Sequence, residues 1–264
     1  MTSHQQISAE AVRALPSVQL VDCRFRLGQH GAGIELYREG HIPGALYLDL
    51  DDDLSGPMRD DRLGGRHPLP ERAAFQQSLQ QAGLRSDASI VVYDDGTGGA
   101  ARAWWLLRHH GVASQVLEGG IAAWRDELDV GDPVVTSGDL VLGVERTDDL
   151  LDATGVQAAL AAGRIVLDAR APERFRGEVE PMDPVAGHIV GARNAPFNAP
   201  DAIDDDVLTV TEPPVVYCGS GITAAALALR LVELGRDDTQ LYAGSWSDWC
   251  ARGLAEPASV ERGR

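Results

Sequence analysis

The residue of this chain whose surroundings best suit nucleophilic chemistry is Cys218, in the stretch Pro-Val-Val-Tyr-Cys-Gly-Ser-Gly-Ile-Thr. The β-branched and aromatic residues before it predict a buried strand. The alanine- and leucine-rich run 224–234, closed by Gly235, predicts a helix. The cysteine therefore falls where a strand ends and a short loop leads into a helix. In an open α/β sheet, ligands bind at this edge.

The loop after Cys218 has the composition of an anion-binding turn. Gly219 and Gly221 can adopt positive φ angles, so successive backbone N–H groups can turn inward, and the helix N-terminus adds positive potential there. These features favour a thiolate over a thiol. The alternative is a buried structural cysteine, although the two glycines have no packing role apparent in the sequence. We therefore predict Cys218 as the catalytic residue, and as substrate-binding residues Gly219, Ser220, Gly221, Ile222 and Thr223.

The composition is that of a folded globular protein with an acidic surface. The 264 residues are 44% hydrophobic and 24% charged, and the net charge is −17. Such a surface would be repelled by nucleic-acid phosphates and by anionic membranes, so we predict neither as a partner. The chain starts without a signal-peptide pattern, and no apolar run approaches the roughly 20 residues of a membrane span. We expect a cytoplasmic protein.

The three cysteines, Cys23, Cys218 and Cys250, are odd in number and far apart. They fit a reducing compartment and indicate neither a disulfide framework nor a zinc site. We predict no metal and no cofactor.

A long internal repeat organises the chain. Four pairs of blocks match in the same order: 20–24 with 166–170, 40–45 with 187–192, 91–94 with 215–218, and 119–124 with 244–249. Each copy alternates strand-like and helical stretches, which predicts an α/β protein with a mainly parallel sheet and helices on both faces. We predict tandem domains at residues 5–130 and 147–255, joined by a linker at 131–146.

The two copies differ at the position of the nucleophile. The first copy has Asp94 where the second has Cys218, and a carboxylate cannot do the nucleophilic chemistry of a thiolate. We therefore predict that the first copy is catalytically inert. The first copy also carries about twenty extra residues between 48 and 70. Loops of that length inside compact domains are usually functional, but a solvated acidic surface loop is an equal alternative.

The blocks together resemble a two-domain sulfurtransferase of the rhodanese superfamily. The matching marks are Gly-His-Ile-Pro-Gly-Ala at 40–45 with its second copy, Asp168-Ala-Arg170, the Cys218 loop, and Tyr-Ala-Gly-Ser-Trp-Ser-Asp-Trp at 242–249. The resemblance covers residues 5–255. It implies that the loop cysteine takes a sulfane sulfur from a small-molecule donor and becomes a persulfide. It also implies transfer of that sulfur to an acceptor such as cyanide, a small thiol or thioredoxin.

The loop composition bears on the donor. Thiosulfate-specialised relatives typically carry basic loop residues, which suit a dianion. This loop is uncharged and resembles the Cys-Gly-Ser-Gly-Val-Thr loop of 3-mercaptopyruvate sulfurtransferases. By the same resemblance, Arg174 would bind the donor's carboxylate, with a surface arginine as the alternative. Residues 177–184 lack the second arginine often found in those enzymes. Arg102 could supply that charge or could pack at a domain interface, so a thiosulfate-preferring rhodanese stays open.

Two further residues enter through the resemblance. His67, in His-Pro-Leu-Pro, matches a histidine proposed to work with the loop serine, here Ser220, in handling the substrate's proton. Asp51 lies at a plausible upstream position for an associated aspartate, although its neighbours are also aspartates. His41 and His188 occupy equivalent positions in the two repeats. Because the inert repeat keeps its histidine, a structural role is favoured for both.

Two other protein classes are alternatives to this interpretation. Loop-cysteine phosphatases need Cys-x5-Arg to bind phosphate, and the position of that arginine is Ala224. A non-catalytic rhodanese-like binding module is the second alternative. The retained Cys218 argues against that role for the whole chain.

Overall fold

The computed structural model describes residues 4–199 and 203–256. The chain divides into two compact units. The first contains the residues up to Pro57 together with Leu69–Thr147, and the second contains Met58–Pro68 together with the residues from Asp148 onward. Part of the extra loop of the first repeat therefore belongs to the second unit.

The first unit is built on a parallel sheet, as the alternating pattern of strand and helix signals predicts. Its strands hydrogen-bond in the order β1-β5-β4-β2-β3, and every pair is parallel. The central strands are rich in valine, isoleucine and leucine, which suits strands covered on both faces. The strands are β1 (Gln6–Ile7), β2 (Val18–Asp22), β3 (Leu46–Tyr47), β4 (Ser89–Tyr93) and β5 (Ser114–Leu117).

Helices connect these strands. The helix that follows β4 is buried along almost its whole length, and most of its residues are alanine, leucine or tryptophan packed into the core. The helices are α1 (Ala9–Arg13), α2 (Ala32–Glu39), α3 (Arg72–Gln81) and α4 (Gly99–His109), with a short 3-10 helix at Gly120–Ala123.

The second unit repeats this architecture with a smaller sheet. Its strands hydrogen-bond in the order β7-β6-β8-β9, again all parallel. A single parallel bridge between Leu150 and Leu241 extends the sheet beside β9. The strands are β6 (Val166–Asp168), β7 (Arg193–Asn194), β8 (Val215–Tyr217) and β9 (Gln240–Leu241). The helices are α5 (Ala153–Ala161), α6 (Pro172–Phe175), α7 (Asp205–Thr209), α8 (Ile222–Glu233) and α9 (Ser245–Ala251).

A buried aspartate–arginine pair occurs at the end of β2 in the first unit and again at the end of β6 in the second unit. Asp22 accepts hydrogen bonds from Arg24 Nε at 2.9 Å and Nη2 at 2.6 Å, and Asp168 holds Arg170 at 3.0 and 2.7 Å. Each arginine also donates to a carbonyl of the Gly-His-Ile block, Arg24 to Gly40 and Arg170 to the corresponding glycine. The repeated Asp-x-Arg motif therefore ties the sheet to the chain that follows it.

The repeated histidines have structural contacts in both units. His41 stacks on Tyr37 at 3.7 Å, and its Nδ1 lies 2.8 Å from the Tyr37 carbonyl oxygen. His188 stacks in the same way on Phe175 at 3.8 Å, with Nδ1 2.8 Å from the Phe175 carbonyl oxygen. These contacts agree with the predicted structural role.

Within the described ranges, the structure has no helix of the length and apolarity needed to cross a bilayer.

The buried pair of the first unit yields a stability prediction. Asp22→Asn leaves the guanidinium of Arg24, itself 6% exposed, without its charged partner, which costs about 3–5 kcal/mol of unfolding free energy. Asp126→Asn is the control, because Asp126 pairs with Arg13 at the surface and the pair contributes at most about 1 kcal/mol. Urea unfolding of the two variants measures the difference, and equal small losses would contradict the structural role of the Asp-x-Arg motif.

Candidate functional site

Cys218 lies directly after β8, where the chain turns into α8. Gly221 caps that helix with a φ of 85°, and its backbone N–H donates to Cys218 Sγ at 3.1 Å. The cysteine is 2% exposed. The sulfur is therefore held against a backbone amide at the positive end of a helix, an arrangement that stabilises an anion.

A strained serine contacts Cys218 from the neighbouring turn. Ser245 has a φ of 56°, a left-handed conformation that costs a residue other than glycine about 1–3 kcal/mol. Its Oγ accepts the Cys218 backbone N–H at 3.0 Å, donates to the Tyr242 carbonyl at 2.9 Å, and lies 4.0 Å from Sγ. The first repeat has Gly120 at this position, with a φ of 58°. The strain therefore occurs only in the copy that carries the cysteine.

The segment Met58–Pro68 is anchored in the second unit by Asp248. Gly64 N–H donates to Asp248 Oδ1 at 2.7 Å, while Tyr242 and Arg252 donate to Oδ2 at 2.6 and 2.7 Å. The Asp248 side chain is 3% exposed. One buried carboxylate therefore connects the segment to α9, beside the Cys218 turn.

The anchored segment brings His67 to the loop. His67 Nδ1 lies 2.9 Å from Ser220 Oγ, and the two residues are 8% and 5% exposed. The histidine and serine that the resemblance paired are therefore in hydrogen-bond contact, an arrangement that can pass a proton.

Two arginines stand beside the residue that follows Cys218. A Cβ built on Gly219 would lie 3.0 Å from Arg66 Nη2 and 3.3 Å from Arg174 Nη1. The loop is uncharged in sequence, but its surroundings contain two guanidinium groups. Arg174 was predicted to lie at the site, whereas Arg66 was not.

Each guanidinium is paired with a buried carboxylate. Arg66 Nη1 donates a short hydrogen bond to Asp183, and Arg174 Nη2 donates to Glu180 at 2.7 Å. The Asp183 and Glu180 side chains are 1% and 3% exposed. Asp183 lies in the segment 177–184, which has no arginine of its own, and its carboxylate orients Arg66.

The corresponding loop of the first unit is filled by its own carboxylate. Asp94 Oδ1 accepts from Gly96 N–H at 2.9 Å, and Oδ2 accepts from Gly98 and Ala100 at 2.8 and 3.1 Å. Burial raises the pKa of Asp94, although these backbone hydrogen bonds oppose the shift. The anion-binding geometry persists in the first unit, but it holds a group that cannot carry sulfur.

The other two cysteines lack an activating environment. Burial first, and then Asp22 and Asp94, raise the pKa of Cys23 well above its ordinary value. Burial and Asp183 raise the pKa of Cys250 to about 11. Both groups are therefore thiols at neutral pH.

Ile222 and Thr223 form the first turn of α8, whereas Asp51 and Arg102 lie in the first unit. The Asp51 side chain is 45% exposed, with Oδ2 3.5 Å from His30 Nδ1. Arg102 is fully buried in α4, and its Nε donates to the Leu54 carbonyl at 3.2 Å. Among the described residues, two groups bring histidines and carboxylates within 4.8 Å of one another, and both lie in this unit: His109 with His110 and Glu145, and His30 with Asp49 and Asp51.

The structure has two α/β units with parallel sheets, and the second carries a cysteine in the loop between β8 and α8. Residues 8–127 and 150–252 both match the Rhodanese-like domain family. The chain belongs to this family, and the predicted resemblance and α/β fold class are confirmed.

Relatives resemble the chain along nearly its whole length. A Pseudomonas aeruginosa protein named "Probable 3-mercaptopyruvate sulfurtransferase" is 43% identical, and the alignment covers 94% of this chain and 96% of that protein. A Mycobacterium tuberculosis protein, named provisionally as thiosulfate sulfurtransferase SseB, is 39% identical over 91% of this chain and 90% of the relative. The structure of 3-mercaptopyruvate sulfurtransferase from Leishmania major superposes with a TM-score of 0.78 at 27% identity, covering 94% and 74%.

The sequence alone did not indicate Arg66, Glu180, Ser245 or Asp248 as residues of the site. Arg66 directly precedes the predicted His67, which was the available signal. Ser245 could have been found as the serine standing opposite Gly120 in an otherwise matching block. Glu180 and Asp248 are distant in sequence from Cys218, and only the fold shows what they hold.

The anchoring carboxylate yields a prediction about the segment. Asp248→Ala removes three hydrogen bonds to a buried charge, so Met58–Pro68 should open at least about tenfold more often, equivalent to about 1.4 kcal/mol. Limited trypsin digestion at Arg62 and Arg66, followed by mass spectrometry, measures the opening. Asp61→Asn, in the same segment but 48% exposed, is the control and should be cleaved at the original rate. Equal cleavage of both variants would show that Asp248 does not anchor the segment.

Proposed function

We propose that this protein is a sulfurtransferase that carries a sulfane sulfur on Cys218 as a persulfide. The observation that carries the proposal is the hydrogen bond from Gly221 N–H to Cys218 Sγ at the N-terminus of α8. Backbone donors of this kind stabilise both a thiolate and the negative charge of a persulfide. The names of the relatives support the same activity.

The reaction has two displacements. In the first, the Cys218 thiolate attacks the donor's sulfur and forms an S–S bond. With 3-mercaptopyruvate, the C–S bonding pair stays on carbon as the enolate of pyruvate, which takes up a proton. With thiosulfate, the leaving group is sulfite. In the second displacement, the acceptor's thiolate attacks the outer sulfur, and Cys218 leaves as a thiolate, ready for another donor.

His67 and Ser220 are the proposed route for the proton that the enolate takes up. The 2.9 Å contact between His67 Nδ1 and Ser220 Oγ supports the role, because it joins a titratable ring to a hydroxyl of the nucleophile's own loop. Asp51 enters the proposal through the family resemblance alone. The backbone of the loop from Gly219 to Thr223 provides the surface for the donor.

For the donor, we propose 3-mercaptopyruvate over thiosulfate. Arg174 places its planar guanidinium group beside Gly219, and two N–H groups of such a guanidinium can bind one carboxylate. The two guanidinium groups near the loop are each offset by a carboxylate, Asp183 or Glu180, so the local charge favours a monoanion over a dianion.

The proposed acceptor is a thiol, either a small molecule or a protein such as thioredoxin, with cyanide as an assay acceptor. We also propose a cytoplasmic location. The three free thiols support it, since a reducing compartment keeps such groups unpaired.

The proposal predicts a single sulfur carrier. Cys218→Ser should abolish transfer, because a serine hydroxyl cannot form the persulfide. Cys23→Ser and Cys250→Ser should keep most of the activity, since both groups are protonated thiols. Mass spectrometry after donor treatment should find one added sulfur on the Cys218 peptide, and full transfer by Cys218→Ser would end the proposal.

The donor proposal predicts a measurable preference. In a side-by-side assay, kcat/KM for 3-mercaptopyruvate should exceed that for thiosulfate by at least about tenfold, equivalent to about 1.4 kcal/mol of transition-state binding. The physical reason is the absence of a net positive charge to attract the dianion. A preference for thiosulfate would show that the guanidinium groups of Arg66 and Arg174 act as uncompensated cations.

A further inference from the structure

Two neighbouring histidines and a glutamate come together at the C-terminal end of α4, in the first unit. His109 Nε2 lies 3.4 Å from Glu145 Oε1, and His110 Nδ1 lies 3.7 Å from Glu145 Oε2. One ligand atom from each residue lies within 4.8 Å of the others. Two imidazoles and a carboxylate are a donor set that suits zinc and other divalent transition-metal ions.

The distances between these atoms match those in a zinc site. Zinc–nitrogen and zinc–oxygen bonds are about 2.0–2.2 Å long, so two ligand atoms of a tetrahedral ion lie about 3.3–3.6 Å apart. The two histidine–glutamate distances are 3.4 and 3.7 Å. An ion can therefore enter between these atoms with small movements of the side chains. Three protein ligands leave the fourth position for a water molecule.

Packing against aromatic side chains holds both imidazoles in place. The His109 ring stacks on Trp105, with centroids 4.9 Å apart, and the His110 ring lies 5.5 Å from Phe75. Each of the two histidines is 4% exposed. Ligands whose orientation is fixed by packing lose little conformational entropy when an ion binds.

The main chain holds Glu145 opposite the histidines. The Arg146 N–H donates to the His109 carbonyl at 2.8 Å. The backbones also approach closely, since a Cβ built on Gly111 would lie 2.6 Å from the Val144 carbonyl oxygen. The Glu145 side chain is 48% exposed, so an ion can reach the cluster from solvent.

A cationic group already contacts the cluster. Arg72 Nη1 lies 3.2 Å from His110 Nδ1 and 3.8 Å from Glu145 Oε2. A guanidinium group can only donate, so Nδ1 accepts this contact with its lone pair, and an imidazole binds metals through such a lone pair. Arg72 Nη2 donates separately to the carbonyls of Leu142 and Gly143. An ion can therefore replace Nη1 while Arg72 keeps its backbone contacts.

We propose that His109, His110 and Glu145 bind a divalent transition-metal ion of the zinc type. The ion fastens residues 142–146 to the end of α4, and no step of the sulfur transfer proposed for Cys218 involves it. None of the three ligands is a cysteine, so the spacing of the cysteines could not indicate this site.

Equilibrium dialysis against Zn²⁺ measures the binding. The unmodified protein should bind one ion at the cluster, and Glu145→Gln and His110→Gln should each weaken binding at least about tenfold, equivalent to about 1.4 kcal/mol. Thermal unfolding shows whether His110→Gln folds, and Glu145→Gln alters a half-exposed side chain and tests the site independently. His30→Gln is the matched control, because His30 belongs to the exposed group with Asp49 and Asp51. Unchanged affinity in Glu145→Gln would overturn the proposal.

Co²⁺ distinguishes this cluster from the thiols, which also bind zinc. Co²⁺ held by nitrogen and oxygen ligands shows weak visible bands, whereas a thiolate ligand adds an intense charge-transfer band in the near ultraviolet. The unmodified protein and Cys218→Ser should bind Co²⁺ equally and give the first kind of spectrum. A dominant charge-transfer band, or binding that disappears in Cys218→Ser, would assign the ion to a cysteine and contradict the proposal.

Hydrogen exchange tests whether the ion fastens residues 142–146. The Arg146 amide is the probe, because it donates to the His109 carbonyl. With Zn²⁺ at ten times its Kd, opening of this contact should become about tenfold rarer and exchange should slow by that factor. In Glu145→Gln, at the same Zn²⁺ concentration, the slowing should be about twofold at most. An exchange rate that ignores Zn²⁺ in the unmodified protein would show that a bound ion does not fasten the segment.

Discussion

The constraint on which the structure depends is the stabilisation of a buried anion where a parallel strand turns into a helix. Both units solve it with backbone N–H groups, around Asp94 in the first and from Gly221 to Cys218 Sγ in the second. Backbone N–H donors are available at this turn whichever side chain the residue after the strand carries. The fold therefore provides a site that stabilises a negative charge, and the side chain decides its chemistry. Replacing a thiol by a carboxylate keeps the fold's requirement satisfied while removing the nucleophile.

The turn that packs against this site needs a positive φ angle in both units, but a different residue adopts it in each. Gly120 and Ser245 both have φ near +57°, where glycine is unstrained and serine is not. Serine supplies a hydroxyl that glycine lacks, and this hydroxyl accepts the Cys218 N–H. Trp246, fully buried, fixes the turn by donating its backbone N–H to the Cys218 carbonyl at 3.0 Å. Tertiary packing thus holds a conformation that serine would not choose locally.

The features that sequence could predict are those carried by local pattern or by the repeat. The parallel α/β architecture followed from strand and helix alternation within the repeat, and the family followed from the resemblance of the repeated motifs and the Cys218 loop to known members. The Cys218 loop itself followed from its glycines and its position between strand and helix. Glu180, Asp183 and Asp248 could not be placed in the same way. A buried carboxylate in a strongly acidic chain looks like any surface acid until the fold shows the cation or amide that it faces. Arg66 was overlooked because the charge of the loop was judged from adjacent residues, whereas guanidinium groups reach it from distant parts of the chain.

The guanidinium groups are far from the Cys218 loop in sequence, and this separation has a physical consequence for the site. A cation inside the loop would act on the sulfur and on the donor together, so thiolate stabilisation and donor choice could not be adjusted independently. Here the sulfur is stabilised by the Gly221 amide and the α8 N-terminus, which contribute no formal charge. The cations approach from outside the loop, and each is paired with a buried carboxylate: Arg66 with Asp183, and Arg174 with Glu180, which also binds Arg170. The net charge beside the loop can therefore change through those carboxylates while the backbone environment of Cys218 stays the same.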